Sequence, residues 1–249
     1  MRNLKITLEY NGTRYSGWQK QKHKQGSRKK AIQEVVESGL RKILRAKTKL
    51  VVSGRTDAGV HAKGQVANFK TNSKLELSKI QLGLNAVLPD DIAVVGIEEV
   101  NLNFHSRFSA KSKLYRYTIL NRTYRSAIFK DYCYLFPHRL DVGLMKEEAK
   151  ALLGRHNFRS FQATERIEKN PVRTIRQIKV TKDGGFVHID IEADGFLYNM
   201  VRNIAGTLIK IGRGRFKKGE LRKILESRDR RAAGPKIPSK GLSLVEVKY

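Results

Sequence analysis

Cysteine is almost missing from this chain. Cys133 stands alone among 249 residues, which excludes an internal disulfide. Long apolar runs are missing too, and none approaches the ~20 residues of a membrane-spanning helix. The N-terminus, Met1-Arg2-Asn3-Leu4-Lys5-Ile6, alternates like a strand at once and carries no apolar signal-peptide core. These absences favour the cytoplasm. The six histidines (His23, His61, His105, His138, His156, His188) are scattered without paired ligand spacing, so no metal site is expected. No glycine-rich phosphate loop ending in Gly-Lys-Ser/Thr occurs, and Gly212-Arg213-Gly214 reads as a helix stop. Acidic residues are scarce: 23 Asp and Glu face 51 Lys and Arg, a formal net charge of +28. Such an excess repels itself in a compact chain and makes a polyanion the natural partner. Nucleic acid comes first, with an anionic membrane surface as the alternative.

The length suffices for one large domain or two small ones with real cores. Leu4, Ile6, Leu8 and Tyr10 alternate with Lys5, Thr7 and Glu9, the pattern of a half-buried strand. Ile32, Val35, Val36, Leu40, Ile43 and Leu44 recur at helical spacing, and strands follow around 49–54 and 64–70. Ser78 reads as the cap of a helix carrying Ile80, Leu82, Leu84 and Val87, stopped by Pro89. Ile92, Val94, Val95 and Ile97 then form a strand. The order is β-α-β-β-α-β, the ferredoxin-like unit. The second half repeats it: strands at 114–120 and 132–136, a helix over 142–153, and strands near 172–181 and 185–192. A helix from Met200 to Ile211, a shorter one at 221–225 and a strand at 242–247 complete it. The expected architecture is α/β, two such halves forming an extended mixed sheet with a central cleft. The boundary falls between 1–105 and 106–249.

Basic residues gather at Lys20, Lys22, Lys24, Arg28, Lys29 and Lys30, at Arg213, Arg215, Lys217 and Lys218, and at Arg228, Arg230 and Arg231. Each run alone reads as a solvated face; together they read as a phosphate footprint. Residues 53–69, Ser-Gly-Arg-Thr-Asp-Ala-Gly-Val-His-Ala-Lys-Gly-Gln-Val-Ala-Asn-Phe, set one carboxylate, Asp57, between Gly54 and Gly59 with Arg55 two residues away. A lone carboxylate in a field of cations suits an active site that processes a polyanion. It equally suits a hairpin turn, because Asp and Gly dominate turns for backbone reasons.

Gly54-Arg55-Thr56-Asp57-Ala58-Gly59-Val60-His61 closely resembles the signature of the tRNA pseudouridine synthase A (TruA) family. Further matches follow in the family's order. They are Tyr10-Asn11-Gly12-Thr13-Arg14-Tyr15-Ser16-Gly17-Trp18-Gln19, Asn85-Ala86-Val87-Leu88-Pro89-Asp90-Asp91-Ile92, Phe104-His105-Ser106-Arg107-Phe108-Ser109-Ala110, Lys113-Leu114-Tyr115-Arg116-Tyr117 and Met200-Val201-Arg202-Asn203-Ile204. Two departures stand out: the 20–30 loop is longer and more basic than usual, and Ala31-Ile32-Gln33 replaces a Thr/Ser-Val-Gln. The resemblance implies the pseudouridine synthase fold with a basic cleft, a homodimer, and a tRNA anticodon stem-loop as partner. It implies isomerisation of uridine to pseudouridine at positions 38, 39 and 40, with no cofactor. The N1–C1′ bond breaks, the base rotates, and C5 takes the place of N1.

By the same resemblance Asp57 is the nucleophile, adding either to the ribose C1′ or to the base. Desolvation disfavours an ionised carboxylate, so a cationic partner is needed, and Arg202 matches the family's basic residue. Arg55 either fills the space left by the extruded uridine or faces a phosphate. Tyr115 is expected to stack on the target base and take the C5 proton, and Val201 to form an apolar floor beneath it. His61 and His105 read as packing residues. The alternatives are an isomerase acting on another RNA and a non-catalytic RNA-binding module of the same fold.

Overall fold

The computed structural model describes residues 1–19, 29–165 and 167–249. The expected basic loop is therefore represented by Lys29 and Lys30 alone; Lys20, Lys22, Lys24 and Arg28 lie outside the described residues. Two compact units emerge, Met1–Lys111 with Ser243–Tyr249, and Ser112–Leu242. The last strand, expected in the second half, belongs to the unit that begins the chain. The mixed α/β class is the expected one.

In the first unit β1 (Arg2–Tyr10) runs antiparallel to both β3 (His61–Thr71) and β4 (Ile92–Val100). The short β2 (Val51–Val52) pairs with β3. The strand β10 (Leu242–Lys248) lies parallel to β3, with Ser243 opposite His61 and Leu244 opposite Ala62. Leu4, Ile6 and Leu8 are fully buried, as alternation demands, each removal from water contributing about 1.5–3 kcal/mol. Helix α1 (Ile32–Leu44) buries Ile32, Val36, Gly39 and Leu40 on one face. Helix α2 (Leu77–Val87) buries Ile80 and Leu84. The structure corrects its start: the Ile80 amide bonds the Glu76 carbonyl, closing the first turn ahead of Ser78, so Ser78 lies inside the helix and caps nothing.

In the second unit β5 (Ser112–Leu120) pairs antiparallel with β9 (Phe186–Ala193) and parallel with the short β6 (Tyr134–Leu135). Next comes β8 (Val172–Asp183), antiparallel to β9, and then β7 (Gly154–Asn157), an edge strand the hydropathy pattern did not announce. The expected 142–153 helix is α3 (Val142–Ala149), finished by a tighter 3-10 turn over Lys150–Leu152. Helix α5 (Glu220–Ser227) has its first amides met by the buried Glu148 carboxylate, which accepts from Gly219 and Leu221.

Helix α4 (Met200–Gly212) is buried almost all round, and only Arg202 and Lys210 among its residues are not. Its fit depends on Gly206, where an added Cβ would lie 2.0 Å from the Pro235 carbonyl oxygen. The 234–237 segment therefore rides directly on the helix backbone. Gly206→Ala is expected to push that segment away and lower stability by about 1–3 kcal/mol in chemical denaturation. A wild-type midpoint would show that the segment packs elsewhere.

Candidate active site

The Asp57 loop joins β2 to β3, and the residues around it explain its shape. Gly59 takes φ +76°, a left-handed conformation, while Val60 N–H closes a turn onto the Asp57 carbonyl. From the other side the N-terminal loop packs backbone to backbone. Trp18 N–H bonds the Thr56 carbonyl at 3.0 Å, and a Cβ on Gly17 (φ +99°) would sit 2.6 Å from that same oxygen. Beneath the loop lies a buried polar cluster. Gln65 Nε2 donates to the Gly54 carbonyl at 2.9 Å and to Tyr10 Oη at 3.3 Å, and its Oε1 accepts from Ser53 Oγ at 2.7 Å. The Tyr10 hydroxyl meets Thr56 Oγ1 at 2.8 Å. Burial pushes the Tyr10 phenol up to about 12, outweighing its hydrogen bonds to Thr56 and Gln65, so it stays neutral.

These anchors sort the loop side chains. Ser53 and Thr56 point inward, Arg55 is exposed, and Asp57 is half-buried. Of the sequence-derived candidates, the first unit thus brings Arg55 and Asp57 together on one short loop. His61 is a packing residue: buried, it accepts from Gly12 N–H through Nδ1 at 3.1 Å. His105 Nδ1 accepts from the Arg107 and Phe108 amides.

The second unit carries Tyr115, Val201 and Arg202. Tyr115 lies on β5 opposite Ile191, with its ring edge-on to Phe196 at 5.0 Å and 80°. Tyr117, two residues on, is fully buried and donates its hydroxyl to the Pro238 carbonyl. Val201 is buried in the first turn of α4. Beside it Arg202 is held from two sides, Nη1 donating to Asn199 Oδ1 and Nε to the Ile237 carbonyl, both at 2.7 Å. Asn199 adopts a left-handed conformation (φ 60°), uncommon outside glycine, and this turns its side chain back over the helix start. The clamp therefore combines the turn before α4 with the 234–237 segment that rests on Gly206.

Among the described residues no group of three His, Cys, Asp or Glu is arranged to hold a metal ion, and no helix is long and apolar enough to cross a membrane. The sequence profile described as tRNA pseudouridine synthase matches residues 6–109 and 149–249. The chain belongs to this family. Relatives named tRNA pseudouridine synthase A align over 249 residues, the whole of this chain and the whole of each relative. They come from Clostridium acetobutylicum (46% identical), Thermoanaerobacter sp. (43%) and Caldicellulosiruptor saccharolyticus (46%). A solved Cbf5–Nop10–Gar1 complex is 14% identical with a TM-score of 0.33, covering 85% of this chain and 55% of that one. The chemistry of a tRNA pseudouridine synthase is isomerisation of uridine to pseudouridine.

For a tRNA pseudouridine synthase the cluster under the Asp57 loop is as instructive as the loop itself. Sequence reading passed over Gln65, Ser53, Phe196 and Asn199. One signal existed: Gln65 alternates with Ala67 and Phe69, at a position on that strand face where an apolar residue would be expected. Gln65→Leu leaves the Ser53 hydroxyl and the Gly54 carbonyl without their buried partner, so it is expected to cost about 1–3 kcal/mol and lower turnover. Thermal melting and turnover together check this; a variant with wild-type melting and rate would show that the loop stands without its amide.

Proposed function

We propose that the chain isomerises uridines 38, 39 and 40 in the anticodon stem-loop of tRNA, with Asp57 as nucleophile. The observation that carries this reading is the one carboxylate of the 53–60 loop, half-buried and fixed by main-chain bonds on both sides. In the proposed reaction the Asp57 carboxylate forms a covalent bond to the uridine and the N1–C1′ bond breaks. The freed base turns, C5 bonds to C1′, and the carboxylate leaves with its electron pair. The C5 proton is lost and N1 is protonated, so product and substrate have the same atoms and no co-reactant is consumed.

Arg202 supplies the charge that keeps Asp57 ionised in a closed site. Two neutral acceptors already orient its guanidinium, which supports this role. Tyr115 stacks on the base and accepts the C5 proton, its ring held by Phe196, while Val201 gives the apolar floor. Arg55, exposed beside the nucleophile, takes the space or the phosphate of the swung-out nucleotide. The enzyme works in the cytoplasm as a homodimer that grips one tRNA across two subunits. Exposed apolar residues on the 121–133 segment, Tyr124 at 65% and Ile128 at 80%, support a second copy as their cover.

Asp57→Asn separates chemistry from binding. Tritium release from tRNA carrying 5-tritiated uridine is expected to fall below detection, with tRNA affinity within a fewfold of wild type. Continued release would remove Asp57 from the mechanism. No release from tRNA by the wild type, with release from ribosomal RNA uridines, would redirect the substrate.

A further inference from the structure

Helix α4 presents two charges from an otherwise buried surface, and Lys210 lies eight residues beyond Arg202. At 1.5 Å per residue they are about 12 Å apart along the axis. Lys210 lines a cavity of about 480 Å³ within the second unit, which includes none of Tyr115, Val201 and Arg202. Among the described residues its other cations are Arg230, Arg231 and Lys236, and its one carboxylate is that of Glu165. A second depression of about 340 Å³ shares Arg230 and Arg231 with it.

Arg230 sits at the centre of this arrangement. It is partly buried, and its hydrogen bonds to described residues go to neutral oxygens, Gly234 O at 2.9 Å and Asn203 Oδ1 at 3.0 Å. Asn203 is fixed in turn by donating to the Phe161 carbonyl, so the guanidinium is aimed before any ligand arrives. Burial lowers its affinity for its own proton, with Glu165 as the one opposing charge. Arg231 is by contrast exposed and held by Asp229, and Lys236 pairs with Glu165 at the rim at 3.0 Å. A partly desolvated cation with neutral neighbours gains most from an incoming anion.

We propose that this pocket is a second anion site, which takes a backbone phosphate of the bound tRNA away from the reacting uridine. The proposal rests on the tRNA reading above and extends it by naming a contact. A free phosphate satisfies the same donors, but the helix favours a chain: a strand running from a uridine at the Arg202 end of α4 to Lys210 has to bridge about 12 Å, beyond one phosphate group. Four cations around one cavity also match the main-chain contacts that supply sequence-independent affinity for RNA.

The test uses Lys210→Gln/Lys236→Gln, both exposed positions, in the full-length protein. Lys179→Gln/Lys182→Gln on β8 removes the same charge from another exposed face as a control. Affinity for unmodified tRNA transcript is measured across a salt series, with melting temperature and KM for pseudouridine formation. The pocket variant is expected to melt like wild type, bind severalfold more weakly with a matching rise in KM, and lose about one to two from the slope of log K against log salt. The control is expected to stay within twofold at every salt. Equal slopes and affinities for the two variants would overturn the proposal. So would inorganic phosphate that, at constant ionic strength, binds the wild type and not the pocket variant yet leaves tRNA affinity unchanged, because the site then takes a free anion alone. Pseudouridine formation by the wild type tests the underlying reading separately and holds whichever way the pocket variant behaves.

Discussion

A buried amide holds up the Asp57 loop. Gln65 reaches from β3 to the Gly54 carbonyl, the Ser53 hydroxyl and the Tyr10 hydroxyl, while Thr56 meets Tyr10 from the loop itself. Buried polar groups of this kind are costly unless every partner is in place, and a satisfied network fixes one geometry where an apolar core would tolerate several. The loop is gripped from the opposite side by Trp18 N–H and by the bare backbone of Gly17. The result is a carboxylate whose main chain has little freedom to move, the preorganisation that the proposed role of nucleophile needs.

The second unit uses the same device for its cation. Arg202 emerges from a helix otherwise given over to packing, and its guanidinium is pinned by Asn199 and by the Ile237 carbonyl. The acceptors are neutral, so they set direction while leaving the positive charge uncancelled by either. Holding Ile237 in place falls to Gly206 and Gly234, where helix and strap meet without side chains between them. Orientation and charge are thus supplied by different parts of the unit. That division orients the guanidinium for the part it takes in the proposed reaction.

Much of this was legible in the sequence. Alternation in β1 and helical spacing in α1 and α4 predict the elements found, because one face of each meets a core. The glycines around Asp57 announced a tight loop between two strands. What stayed hidden shares a physical cause: it depends on contacts far apart in the chain. Strand β7, Gly-Arg-His-Asn, has no apolar alternation and exists because β8 offers it an edge. The start of α2 is set by a backbone bond to Glu76, which the cap preference of Ser78 does not override. The left-handed turn at Asn199 is unreadable before the Arg202 contact is known, and Arg230 looks like one member of a solvated run until Asn203 is seen to receive it.

On the proposed readings the charge of +28 is divided among different tasks: Arg202 for chemistry, the Arg230 pocket for a phosphate, and an exposed remainder for attraction at a distance. The central claim concerns the first of these, that a guanidinium keeps the Asp57 carboxylate ionised when the site closes. The most direct measurement is the pH dependence of the single-turnover rate for wild type and Arg202→Gln, with binding saturated and folding verified. The account predicts that the acidic limb of the profile moves to higher pH by about one unit or more when the cation is removed. Superimposable acidic limbs, differing only in height, would contradict it.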